Sequence, residues 1–151
     1  MFAEAEYDAL LGDLYAGTTD PEGFGRFLDR LSHASRSHLT VFIRDEFRGP
    51  ARSVFLARDF DPSLRRRYDA EPAEDDKLWF LRSAGAMKTG VVLKGEDWAT
   101  AAEIRRTRYY DAVLRKIDTL HSAALCGELS SRRAAFLTPC RSSRAGPYGG
   151  D

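Results

Sequence analysis

Cysteine and histidine are scarce in this sequence, with two of the first and three of the second among 151 residues. His33, His38 and His121 are scattered over an expected helix end and two expected strands, and neither His-x-x-x-His nor Cys-x-x-Cys spacing occurs, so no metal site is expected. An excess of one charge is also missing, because 23 Lys and Arg balance 23 Asp and Glu. Without it, the counterion release that drives binding to a phosphate backbone has little source, and nucleic-acid binding by this chain alone is not expected. The run Arg65-Arg66-Arg67 does not alter this, since Asp59, Asp61 and Asp69 flank it. No apolar stretch approaches the ~18 residues of a membrane span, and Met1–Ala16 carries Glu4, Glu6 and Asp8 where a signal peptide needs basic residues. A cytoplasmic protein with no membrane partner is the expectation. Phosphate-cradling loops are absent too: Gly146, Gly149 and Gly150 follow the last expected strand and do not sit between a strand and a helix. Glu96 and Asp97 have no matching second pair of carboxylates. Neither an enzyme nor a bound cofactor is expected.

What is present suits one compact core. A chain 43% hydrophobic and 30% charged can bury a sizeable interior, and 1–151 reads as a single domain without repeats or linkers. Glu4–Ala16 sets Tyr7, Leu10, Leu11 and Leu14 on one helical face. Asp20 caps a second helix with Pro21 at its first position and Phe24, Phe27, Leu28 and Leu31 as its apolar stripe. His38–Phe47 and Arg52–Arg58, rich in branched and aromatic residues, form an antiparallel hairpin about Arg48-Gly49-Pro50. Asp61-Pro62 starts a third helix ended by Pro72, and Asp76–Ala86 is a short fourth. Gly90–Leu93 reads as a short strand and Trp98–Arg105 as a turn or short helix. Thr107–Ile117 follows as an aromatic amphipathic helix.

Asp118–Leu129 and Arg132–Arg141 close the chain as a hairpin. If Ser130 and Ser131 centre its turn, Cys126 pairs near Ala135 and Cys140 near His121. The thiols are then about five residues, or roughly 16 Å, apart and too distant for a disulfide. The same register sets His121 beside Cys140, a base beside a thiol, but no third group orients them and a core or edge role serves as well. The pattern of elements predicts an α+β domain, a PAS- or GAF-like antiparallel sheet covered by flanking helices on one side.

Several segments in this order resemble the sensor half of LuxR-type transcription regulators: YDALLGDLYAG, DPEGFGRFLDRL, DPSLRRRYDA, EDDKLWF, GVVLKGEDW and EIRRTRYYDAVLRKIDTLHSAAL. The resemblance implies a ligand-sensing domain that precedes a dimerisation helix and a DNA-binding helix-turn-helix. It also implies that the sequence stops before both, since RSSRAGPYGGD is similar to the Gly-Pro-aromatic turn that introduces the next helix. The family's Thr-x-x-Tyr is present as Thr107 to Tyr110, whereas its aspartate-proline is altered, because Lys77 follows Asp76.

For such a pocket the candidate lining residues are Tyr68, Asp75, Asp76, Trp79, Trp98 and Tyr110. Their rings offer apolar walls and their carboxylates and phenols offer orienting hydrogen bonds, a combination suited to a small amphiphile. Rings at helix spacing equally serve as core, and Asp75 and Asp76 equally serve as a helix cap and first-turn acid. A protein-interaction module without a ligand is the second reading. In either case a homodimer is expected, through the sheet or through the stripes at Leu10, Leu14, Phe27 and Leu31.

Overall fold

The computed structural model describes residues 4–46, 54–57, 61, 63, 66 and 88–149. Helix α1 (Glu4–Ala16) and helix α2 (Pro21–Ala34) form an antiparallel pair whose connection is set locally. The Asp20 carboxylate accepts the Glu22 amide at 3.0 Å, and Pro21 opens α2 with a φ already suited to a helix. Gly17 lies so close to α2 that a Cβ there would come within 2.8 Å of the Phe24 backbone. Leu10, Phe27 and Leu28 are buried together, with Phe24, Leu31, Phe42 and Leu137 against them. The Phe24 ring meets Phe42 edge-on at 5.4 Å. This corrects the dimer stripe expected from the sequence: Leu10 and Phe27 are spent inside the chain, holding the helix pair to the sheet.

Strands β1 (Leu39–Glu46), β2 (Val54–Leu56), β3 (Val92–Lys94), β4 (His121–Leu129) and β5 (Arg133–Arg141) make a five-stranded sheet in the order β2-β1-β5-β4-β3. Every pairing is antiparallel. The α+β class and the two hairpins hold, and the central β1–β5 pairing joins residues nearly a hundred positions apart, such as Phe42 and Leu137. The helix expected over Asp61–Glu71 falls outside the described residues except at Asp61, Ser63 and Arg66. There the Asp61 carboxylate accepts from both the amide and the hydroxyl of Ser63 at 2.7 Å, as an N-cap does. The helix expected over Asp76–Ala86 lies outside the described residues altogether.

Two local expectations need correction. Thr107–Ile117 is not one helix: α4 (Arg108–Ala112) gives way to a 3-10 turn over Leu114–Ile117, with Val113 between them at φ −126°. Val113 is almost wholly buried, and a β-branched side chain that leaves helical dihedrals reaches the interior at little cost in propensity. The closing hairpin is also shifted by one residue, so that Cys126 faces Phe136 and Cys140 faces Ser122. A bulge between Cys126 and Glu128 absorbs the difference before the Ser130 turn. Consequently His121 lies opposite Arg141, and no base pairs with the Cys140 thiol across the strands. Side chains pack on both faces of the sheet. Adjacent strand residues point opposite ways, and whereas Leu137 meets the helix pair, Phe136 packs on the far face beneath Trp98.

Candidate functional site

That far face is the candidate site. Cys126 of β4 and Ala134 and Phe136 of β5 form its buried floor, and Leu93 of β3 and Trp98 pack onto it. Small side chains at Ala124 and Ala134 keep the floor low, and the single large ring of Phe136 stands among them. A short 3-10 turn, Gly95–Asp97, carries the chain from β3 to Trp98. Its geometry is fixed by Asp97, whose carboxylate accepts the Lys94 amide at 2.9 Å, and by Gly95, where a Cβ would press on the Ser122 hydroxyl at 3.3 Å.

Next comes α3 (Ala101–Arg105), held by a reciprocal cap in which the Glu103 carboxylate accepts the Thr100 amide at 2.8 Å and the Thr100 hydroxyl accepts the Glu103 amide at 3.2 Å. Ala99, Ile104 and Leu120 form a second buried group, and Tyr110, Ala101 and Leu114 pack against it. Thr107 has a plain local task here. Its hydroxyl donates to the Ile104 carbonyl at 2.7 Å and accepts the Tyr110 amide at 3.0 Å, so the Thr-x-x-Tyr pattern is an N-cap that aims the α4 ring. Trp98 and Tyr110, both named from sequence, therefore pack in separate groups and do not share one. Tyr68, Asp75, Asp76 and Trp79 lie outside the described residues.

Sequence reasoning missed the polar cluster at the end of the sheet where β4 begins and β5 ends. His121 Nδ1 is 2.5 Å from Glu96 Oε1, and the imidazole is largely buried. The Arg141 guanidinium, also buried, donates to the Ser35 carbonyl at 3.0 Å and the Pro147 carbonyl at 3.2 Å and stacks 4.2 Å over the Tyr148 ring. No periodicity announces such contacts, because their members come from the end of α2, the Gly95–Asp97 turn, β4, β5 and the tail. The thiols are chemically quiet: burial pushes Cys126 up and Cys140 up to about 12, which keeps both protonated and poorly nucleophilic. Among the described residues no group of three or more His, Cys, Asp or Glu is arranged for a metal ion, and no helix is long and apolar enough to cross a membrane.

No protein-family model matches the sequence, and no curated protein matches it. Solved structures do. The LBD of VqsR from Pseudomonas aeruginosa superposes with a TM-score of 0.63 at 16% identity, over 95% of this chain and 84% of that one. CepR2 from Burkholderia cenocepacia, an N-acylhomoserine lactone dependent LuxR-family transcription factor, gives 0.64 at 12% identity, over 99% of this chain and 84% of that one. SdiA in complex with octanoyl-rac-glycerol gives 0.63 at 13% identity, over all of this chain and 60% of that one. The chain has the fold of LuxR-type ligand-binding domains. At such low identity the likeness lies in the order and packing of the elements, which agrees with a resemblance carried by many weak segments and no single motif.

Proposed function

We propose that this chain is a single regulatory sensor domain that takes a small amphiphile on the Trp98 and Phe136 face of its sheet and does not itself contact DNA. The observation that carries this reading is the apolar floor of Cys126, Ala134 and Phe136 with a tryptophan packed on it, in a fold shared with regulator domains. CepR2 is described as N-acylhomoserine lactone dependent and SdiA holds octanoyl-rac-glycerol, both molecules that join an acyl chain to a small polar head. An aromatic and aliphatic floor suits such a chain. Tyr68, Asp75, Asp76, Trp79 and Tyr110 are the proposed orienting and lining groups beside Trp98. A balanced charge supports the absence of DNA binding. A homodimer belongs to the same reading, through surfaces other than the Leu10 and Phe27 stripe.

The test is titration with octanoyl glycerol and with an N-acylhomoserine lactone. Saturable quenching of tryptophan emission and a raised Tm support sensing, because a ligand that binds only the folded state stabilises it. Trp98→Phe should reduce the quenching to what Trp79 reports, and Tyr110→Phe should weaken binding while leaving the fold intact. Absence of saturable binding by any acyl amphiphile, with a folded protein in hand, would favour the interaction module.

A further inference from the structure

Helix α1 has a second apolar edge that the described residues leave uncovered. Tyr7, Leu11, Leu14 and Tyr15 recur at i, i+4, i+7 and i+8, the spacing of one continuous stripe at about 100° per residue. Leu10 forms the inner border of this stripe and is buried against α2, but the outer part is open: Tyr7 is 54% exposed, Leu14 36% and Tyr15 72%. A surface helix normally turns its whole stripe inward, so an outward half rich in tyrosine marks a docking surface. Tyrosine is also the residue type that gives contact area at low entropic cost in interfaces.

The charge pattern selects the partner. Glu4–Ala16 contains Glu4, Glu6, Asp8 and Asp13 and no lysine or arginine. Glu4 and Asp8 are exposed and four residues apart, Glu4 between Leu11 and Tyr15 around the helix and Asp8 just beyond Tyr15. On the inner side Asp13 is already engaged, 2.7 Å from Arg30 and 3.5 Å from Arg26 of α2, so those cations are committed within the chain. A second copy fits poorly, since pairing two such helices across an antiparallel two-fold axis would set the acids of each against the carbonyl end of the other without a compensating base. We infer that α1 docks a basic amphipathic helix of a partner protein, whose leucine-like face covers Tyr7, Leu11, Leu14 and Tyr15 and whose lysines or arginines meet Glu4 and Asp8.

The whole chain is titrated with a fluorescent Leu/Lys amphipathic peptide of about 18 residues, long enough to hold a helix, and with its Leu/Glu counterpart of identical pattern. The basic peptide should bind, with an affinity that falls as salt rises, and the acidic one should not. Tyr7→Ser/Tyr15→Ser, at exposed positions that leave the core alone, should weaken binding roughly tenfold or more. Glu4→Gln/Asp8→Asn should flatten the salt dependence. Equal binding of both peptides, or basic-peptide binding untouched by the tyrosine variant, would overturn the inference. So would sedimentation showing a dimer that the tyrosine variant dissolves, because the surface would then be a self-interface.

Discussion

The Ser37 hydroxyl and the Tyr148 phenol, 111 residues apart in sequence, share a hydrogen bond of 2.5 Å. Together with Arg141 beneath the Tyr148 ring, it ties the residues after β5 to the turn between α2 and β1. Tyr148→Phe should therefore cost about 1 kcal/mol in urea unfolding. Arg141→Met should cost more, about 1.5–3 kcal/mol, because it removes a buried guanidinium that donates to the Ser35 and Pro147 carbonyls. The double variant should fall short of the sum, as expected for two members of one network. Strict additivity would show that the tail and the turn are held independently.

Alkaline conditions should weaken the fold in a defined window. Burial raises the Cys140 thiol from an ordinary 9.0 to about 12 and the Tyr148 phenol from 10.0 to about 12. The unfolded chain releases both protons near the ordinary values and the folded chain keeps them, so stability is whole below 9.0 and falls as pH rises from there toward about 12. Urea midpoints along this range should decline, and Cys140→Ala should make the first part of that decline shallower, with Cys126 still contributing from 9.0 upward. In the native protein both thiols should also resist a soluble disulfide reagent and react fully on denaturation. A flat alkaline profile would contradict the burial of these groups.

Two glycines of α2 should respond to alanine in opposite directions. A Cβ at Gly23 would sit 2.7 Å from the Gly17 amide nitrogen and 2.8 Å from the Ala16 carbonyl carbon, against backbone that cannot swing aside. Gly23→Ala should cost about 1–3 kcal/mol. At Gly25 nothing lies within 4 Å, and Gly25→Ala should stabilise by about 0.5–1 kcal/mol through helix propensity alone. Thermal melts of the two variants, with opposite shifts in Tm, check the closeness of the α1–α2 connection.

On the acid side the informative residue is Asp13. The hydrogen bond from Arg30 is the largest influence holding its carboxyl below the ordinary 3.8, with Arg26 adding to it. The group therefore stabilises the fold above 3.8, and that contribution is lost as pH falls through the lowered value. Asp13→Asn should show a shallower acid limb than the parent protein in denaturant midpoints below about pH 4. Identical limbs would mean that the ion pairs to α2 do not persist in solution.

The sequence by itself determined the elements whose causes are local. Asp20-Pro21 starts α2 because a carboxylate can reach an orphan amide two residues on and proline needs no donor there. The α+β class, both hairpins and the free state of the thiols follow from similar short-range rules. Tertiary structure decided the rest. Strand order was undetermined, since β1 pairs with β5 across most of the chain and no turn specifies it. The register of the final hairpin moved by one residue because a bulge at Gly127, not the turn alone, sets which side chains face each other. Val113 broke the expected aromatic helix because its burial outweighed a continuous helical ladder. Arg141 reads as a surface residue in any local window, and nothing local gives His121 its carboxylate partner. They are buried because Ser35, Pro147, Tyr148 and Glu96 arrive from other elements to satisfy them, and only the folded chain brings those groups together.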